Sequence, residues 1–288
     1  MSCSKQSAKR LFLTATPFVN SIDDLVNLAT VLTAGRGTIS RSNVFDALQG
    51  KVIFQPKVIS DDFPKVKEEY VYIDMDEEYQ KAYISEMKDG EEFTSNAFYN
   101  AYRRAVNSLG DSYTTQKIQA IIDIINDHPE RRSVVYTNWI KYGVKTLTDS
   151  LNDHGITYEV IAGTISQKER QRIVDAYNNG KVDVLIITAA GSEGIDLKET
   201  ENIFVLDPVW HPAGIEQIIG RGVRYKSHIN LPPERRVVHV YFLILKEYDI
   251  ELDNLGASAS GDIILYGIIN GKKEVQNEIY EKLKEISY

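Results

Sequence analysis

The chain has 288 residues, 43% of them hydrophobic and 26% charged, with a net charge of −8 and a single cysteine, Cys3. That is an ordinary composition for a globular protein able to bury a sizeable core, and it excludes an internal disulfide or a cysteine metal cage. No apolar run approaches the ~20 residues that cross a bilayer as a helix, and no signal-peptide pattern opens the sequence. The acidity is local: residues 61–92 hold 12 Asp and Glu against 4 Lys, which accounts for the whole net charge and leaves the remainder near neutral. A nucleic-acid partner therefore stays compatible with the composition, since phosphates are also held by backbone N–H groups, hydroxyls and helix N-termini.

From the N-terminus, Arg10-Leu11-Phe12-Leu13-Thr14-Ala15-Thr16-Pro17 reads as an apolar strand ending in a hydroxyl-rich stop. Residues 21–55 carry short apolar segments, Leu25-Val26-Asn27-Leu28 and Val44-Phe45-Asp46-Ala47-Leu48, separated by Gly35-Arg36-Gly37, and predict short helices around a flexible connection. Lys67–Asp74 alternates as a strand, with Tyr70 and Tyr72 on one side and Val71 and Ile73 on the other. Asp76 then caps a helix carrying Tyr79, Tyr83 and Met87. A second helix over 93–109 sets Phe98, Tyr102 and Ala105 at helical spacing, an aromatic stripe that suits a core better than base stacking.

Beyond Thr115 strand and helix alternate regularly. Ile118, Ile121, Ile122 and Ile125 make a one-faced helix, and Ser133-Val134-Val135-Tyr136-Thr137-Asn138 a buried strand with a polar tip. A helix bearing Val144, Leu147 and Leu151 follows, ended by Asn152-Asp153-His154-Gly155; then comes a strand, Tyr158–Ile161, leading into Ala162-Gly163-Thr164. Ser166 and Glu169 form a capping box for a helix reaching Asn179. The strand Val184–Thr188 runs into a small-residue turn and Glu193-Gly194-Ile195-Asp196-Leu197; the strand Ile203–Leu206 precedes a helix opening at His211-Pro212. Arg221 and Arg224 are three apart, so a helix continued through them sets both guanidiniums on one face. Arg236–Leu245 is a long apolar strand, and Tyr248–Tyr288 reads as helical. This repetition predicts right-handed crossovers and a parallel sheet covered on both faces, with the polar tips at the carboxyl edge where open α/β sheets bind ligands.

Gln217-x-x-Gly220-Arg221-x-x-Arg224 resembles motif VI of superfamily 2 helicases and translocases, and Thr188–Asp196 resembles their motif V. Asp207-Pro208-x-Trp210-x-Pro212 is similar to the approach to motif VI in Swi/Snf-type remodellers and in related ATPases of large DNA viruses; Glu193-Gly194-Ile195-Asp196 leans to the viral side. Arg10–Pro17 resembles motif III, the tip at Thr137 and Asn138 motif IV, and Gln167–Arg172 the segment between motifs IV and V. The resemblance implies a second RecA-like lobe: an α/β fold whose parallel sheet carries helices on both faces, plus a helical insertion and a C-terminal helical brace. The expected organisation is a first-lobe remnant and linker over 1–60, an acidic, aromatic helical insertion over 61–114, the lobe over 115–247 and the brace over 248–288.

The same resemblance implies roles. Arg221 and Arg224 are the catalytic cations, Arg224 as the arginine finger, and Gln217 bridges to motif III or to the attacking water. Gly194, Asp196 and Gly220 face ATP, with Asp196 accepting from ribose hydroxyls, although an aspartate beside a turn is equally an N-cap. Thr188, Thr137, Asn138 and Thr164 contact nucleic acid, and Thr14 and Thr16 couple the lobes. Arginine suits such a site because its planar, permanently charged group meets phosphate bidentately where charge spreads during phosphoryl transfer. The sequence contains no Gly-x-x-x-x-Gly-Lys-Ser/Thr phosphate loop. ATP with Mg is therefore expected to be held mainly by a missing N-terminal ATPase lobe of the same parent chain, with no cofactor bound tightly to this part, no metal ligands here and no hydrolysis by it alone. The expected partner is nucleic acid, DNA over RNA from the Trp210–Pro212 neighbourhood, with no membrane; the expected location is intracellular, in cytoplasm, nucleus or a virion. Two other readings are a non-catalytic RecA-like scaffold for a transcription or processing complex, and a methyltransferase-like enzyme using Gly191-Ser192-Glu193-Gly194. The last lacks a Gly-x-Gly-x-x-Gly fingerprint.

Overall fold

Six strands lie in one parallel sheet in the order β1-β8-β7-β4-β6-β5. They are β1 Lys65–Asp74, β4 Arg132–Tyr136, β5 Tyr158–Ile161, β6 Val184–Ile187, β7 Thr200–Val205 and β8 Val237–Lys246; a two-residue pair, β2 Ser108–Leu109 and β3 Tyr113–Thr114, stands apart. The computed structural model describes residues 10–14, 17–18, 21–35, 37–55, 60–89, 95–109, 113–163, 165–189, 191, 194–209, 212–257 and 260–288. Thr16 and Thr164 lie outside them.

The helices are α1 Ile22–Leu32, α2 Val44–Leu48, α3 Glu77–Asp89, α4 Ser95–Ala105, α5 Gln116–Asp127, α6 Thr146–Asp153, α7 Gln167–Asn178, α8 Pro212–Gly222 and α9 Gly261–Glu285. The chain divides into two compact units, one of residues 60–209 and 216–267, the other of residues 1–59, 210–215 and 268–288.

In the larger unit every residue of β6 and β7 is buried, as expected for strands of a parallel sheet covered on both faces. One face meets Ile118, Ile121, Ile122 and Ile125 of α5 and Leu147 and Leu151 of α6, packed on Val135, Ile186, Phe204 and Leu243. The opposite-facing residues Val134, Leu185, Ile187, Ile203 and Val205 are equally buried. Filling both faces is the main apolar contribution to this unit, at ~25 cal/mol per Å² removed from water.

The segment 61–114, expected as a helical insertion apart from the lobe, begins with a strand of the main sheet. β1 pairs with β8 along its whole length, Lys65 opposite Val237 through Asp74 opposite Lys246, and Tyr70 stacks on Phe242 with ring centroids 4.9 Å apart. Only α3, α4 and the short β2–β3 pair stand off the sheet. Their core is Met75, Tyr79, Tyr83, Ala105, Val106 and Leu109 with Leu245, and Tyr102 lies edge-on to Tyr83 at 6.0 Å, so this part of the aromatic stripe is packing.

The smaller unit joins residues that the sequence reading kept in separate domains. Phe18, Leu25, Ala29, Val44 and Leu48 form one core with Ile279 and Leu283 of α9, and the Tyr288 amide donates to the Val52 carbonyl (3.2 Å). The C-terminal brace therefore meets the N-terminal helices, because α1 and α2 are too short to bury their apolar faces on each other alone. Residues 10–14, expected as a strand, carry no regular secondary structure, and Leu11 and Leu13 are 82% and 87% exposed. A strand needs a sheet neighbour for its backbone groups, and no described strand pairs with it.

One ion pair is entirely inside the larger unit. Lys117 Nζ of α5 lies 2.8 Å from Asp262 Oδ2 at the start of α9, both side chains fully buried, and the same oxygen accepts the Leu245 amide at 2.9 Å. Burial raises the Asp262 pKa to about 6 despite the opposing pull of Lys117. Breaking a buried pair strands a charge, whereas removing both partners does not. In denaturant unfolding, Lys117→Met should cost about 3–5 kcal/mol, and the double variant Lys117→Met with Asp262→Leu should recover a large part of it.

Candidate functional site

The carboxyl ends of β4, β6 and β7 carry the loops that the sequence singled out. After β6, Thr188 is buried; its amide donates to the Ile161 carbonyl (3.2 Å) and its carbonyl accepts from Gly191 (2.9 Å). Gly191 is required by contact: a Cβ there would come within 2.1 Å of the Ile161 carbonyl oxygen, which is backbone and cannot yield. Gly194 is required by conformation, with φ +72°. Past it, Ile195 and Leu197 point into the core, so the residue between them is turned outward: the Asp196 side chain is 65% exposed. Asn178, at the end of α7, straps this loop from both sides, donating to the Asp196 carbonyl (3.0 Å) and accepting the Lys198 amide (2.8 Å).

Helix α8 brings in the second group. Gln217 is exposed, and a side chain added at Gly220 would meet open space. The Arg221 carbonyl accepts the Leu197 amide at 3.1 Å, so the helix end is bonded directly to the β6 loop. The helix stops at Gly222, where a Cβ would crowd Thr200 at 3.1 Å, and Ser227 caps the turn by accepting the Arg224 amide (3.2 Å). The expectation that one helical face presents both arginines is thereby corrected: Arg221 is in the last turn of α8, and Arg224 lies beyond it on the following turn. Arg224 Nε sits 3.1 Å from Asp196 Oδ1, and its Nη2 donates to the Ile195 carbonyl at 3.4 Å. The fold thus joins Arg224 to Asp196, with Gly194 two residues away and Arg221 tied in through its backbone. This pair is solvated, 42% and 65% exposed, the class of contact worth about 0–1 kcal/mol. It holds the arginine without locking it.

The turn after Arg224 rests on a buried histidine. His228 Nε2 faces the Thr200 carbonyl at 2.8 Å and Nδ1 faces Ser227 Oγ at 2.9 Å. Burial lowers the His228 pKa, against the Thr200 hydrogen bond that raises it, so the ring is neutral at neutral pH.

At the β4 tip two candidate residues are engaged within the fold. Thr137 is fully buried, its hydroxyl donating to Asp207 Oδ1 at 2.6 Å; Asn138 gives its backbone amide (3.1 Å) and its Nδ2 to the Asp207 carboxylate while accepting from Tyr136 Oη (2.9 Å). Both serve a buried carboxylate that must be hydrogen-bonded. The outward residues of this tip are Ile140 and Lys141, on a π-helical turn over Ile140–Lys145 in which a Cβ on Gly143 would overlap Thr137 Oγ1 at 2.1 Å. Such turns arise where one residue is inserted into a helix and recur at functional sites. Thr14 belongs to the smaller unit.

Residues 116–226 match the family model described as "Helicase conserved C-terminal domain". Residues 116–226, most of them in the larger unit, are thus similar to a helicase C-terminal domain. "Putative ATP-dependent RNA helicase L538" of Acanthamoeba polyphaga mimivirus is 30% identical over 276 residues, covering 82% of this chain and 62% of that protein. "Nucleoside triphosphatase I" of Melanoplus sanguinipes entomopoxvirus is 29% identical over 221 residues, 72% of this chain and 32% of the other. The chain thus spans under two thirds of the first and about a third of the second. Among solved structures, the C-terminal part of the Fun30 ATPase domain superposes with a TM-score of 0.55 at 13% identity, over 76% of this chain and 99% of that one, which supports the RecA-like fold of the lobe.

Part of a nucleoside triphosphate suits the lobe's exposed rim: a solvated carboxylate for hydroxyls, cations for phosphates, and two glycines that leave open space. No helix of the described residues is long and apolar enough to cross a membrane.

Two outcomes test this local chemistry. Gly191→Ala should lower stability by about 1–3 kcal/mol in denaturant unfolding, because the turn cannot accept the methyl without moving. Because the folded-state pKa of His228 is depressed, its contribution to stability is present above the unfolded value of about 6.5 and is lost as pH falls below it. A stability–pH curve between 7 and 5 should therefore slope downward more steeply in the wild type than in His228→Gln.

Proposed function

We propose that this lobe is the second half of an ATP-dependent helicase or translocase that acts on nucleic acid, and that a first lobe in a longer parent chain holds most of the nucleotide. The reading is supported chiefly by the meeting of Arg224 with Asp196 on an exposed rim beside Gly194. The longer relatives named as an ATP-dependent RNA helicase and as nucleoside triphosphatases agree with it, as does the exposure of Leu11 and Leu13, apolar residues that a neighbouring sheet would cover.

When bound, ATP supplies the phosphoryl group whose transfer to water spreads negative charge over its oxygens, with Mg ions neutralising part of it. The residues of this chain bind and orient. Arg224 exchanges the Asp196 carboxylate for phosphate oxygens, an exchange that costs little because the resting pair is solvated. Asp196, released, accepts from ribose hydroxyls. Arg221 adds a second cation from the last turn of α8, and Gln217, exposed one turn earlier, orients the attacking water. Lys141 takes the phosphate contact at the β4 tip, and Thr188 joins it when the β6 turn moves, since its burial keeps it from a strand at rest.

ATPase assays on the parent chain test this. Arg224→Ala should reduce stimulated turnover about 10³-fold or more, the usual worth of an arginine finger, and an unchanged rate would remove the assignment. The 288-residue chain by itself should not hydrolyse ATP; robust turnover from it would sink the half-site reading. Stimulation of the parent by single-stranded RNA, single-stranded DNA and duplex DNA decides between the RNA named for the mimivirus relative and the DNA suggested by the Trp210–Pro212 neighbourhood.

A further inference from the structure

Arg103 lies on α4, outside every motif, yet its side chain is buried to 6% exposure. Its Nη2 donates to the Pro208 carbonyl at 3.1 Å, and its guanidinium lies over the Trp139 ring, 5.4 Å from the centroid. Burial lowers its pKa, and the largest compensating charge is Asp207. That carboxylate is fully buried and accepts from Thr137 Oγ1 (2.6 Å), from the Asn138 amide and Nδ2, and from Asn107 Nδ2 (3.2 Å) just past α4. Three stretches of chain far apart in sequence thus converge: the end of α4 with Asn107, the β4 tip from Thr137 to Trp139, and the β7 exit at Asp207-Pro208, which continues along the chain to α8.

We infer that Arg103 is a positioning residue which, through Pro208, Trp139 and Asp207, fixes the nucleic-acid-facing β4 tip and the β7 exit to the helical pair α3–α4. The inference rests on the nucleic-acid reading above for its functional part only. Arginine suits the role because one planar group donates in its own plane while stacking through its face; a lysine supplies the charge without the stack. A buried cation also offsets the charge of Asp207, without which that carboxylate would be costly to bury. Displacing α4 therefore moves both loops together, so load applied to α3–α4 reaches the β4 tip and the β7 exit at once.

The test uses the 288-residue chain carrying Arg103→Lys, which keeps the buried charge and so the fold, and a double variant, Arg103→Met with Asp207→Asn, which removes both charges. Amide hydrogen exchange read residue by residue is the first measurement. Loss of the Trp139 ring contact and of the Pro208 hydrogen bond should speed exchange at Asn138 and Trp139 about tenfold in Arg103→Lys, while the amides of β6 stay as in the wild type. Binding of fluorescein-labelled single-stranded RNA and DNA oligonucleotides is the second, with affinity expected to fall about fivefold or more at an unchanged melting temperature. Asn138 remaining as protected as in the wild type in both variants would overturn the proposal, and so would an even rise of exchange across β6. A shifted exchange pattern in a chain whose wild type binds neither oligonucleotide would uphold the positioning role and remove the nucleic-acid reading instead.

Discussion

A carboxylate sealed beneath the rim of a parallel sheet has to be satisfied by its neighbours, and in this lobe that constraint organises the ligand edge. Asp207 closes β7, and every donor it attracts comes from another stretch of chain. The energetic reason is the asymmetry of buried polar groups: a partnered one stabilises modestly, and an orphaned one costs its full desolvation. The residues that look most like ligand-binding hydroxyls and amides at the β4 tip are therefore committed to the fold. What the rim offers to solvent is what the network leaves over: Asp196, Arg224, Gln217 and Lys141.

The architecture was largely legible in the sequence, and the side-chain economy was not. Continuous apolar runs such as Val184–Ile187, followed by a polar, glycine-bearing turn, and Ile203–Leu206, followed by Asp207-Pro208, read as strands buried on both faces, and the one-faced isoleucines of α5 identify a covering helix. Local rules failed where partners are distant. Arg10–Thr14 has the pattern of a strand, but pattern cannot supply the neighbour that a strand requires. Lys67–Asp74 was legible as a strand, whereas the pairing of Lys65–Asp74 beside Val237–Lys246, some 170 positions on, was not. The three-residue spacing of Arg221 and Arg224 promised a shared helical face; Gly222, pressed on Thr200, ends the helix between them.

Within the candidate site the split is similar. Gly194 has a left-handed backbone, and Asp196 is turned outward by the alternation of Ile195 and Leu197 into the core. Asn178, His228 and Arg103 carry no local signature, since each acts on backbone atoms brought near by topology. The one sequence sign of the Asp207 network was an aspartate ending an apolar strand directly before a proline, a place where a charge is buried only with a purpose.

Among the described residues the outer strand β1 has a strand neighbour on one side only, and an edge of this kind is a template on which a second copy can assemble. Its first half is guarded by Lys65, Lys67, Glu68 and Glu69, while the second half carries the half-exposed Tyr70 and Tyr72. Solubility of the lobe thus leans on a few surface charges at one end of a single strand.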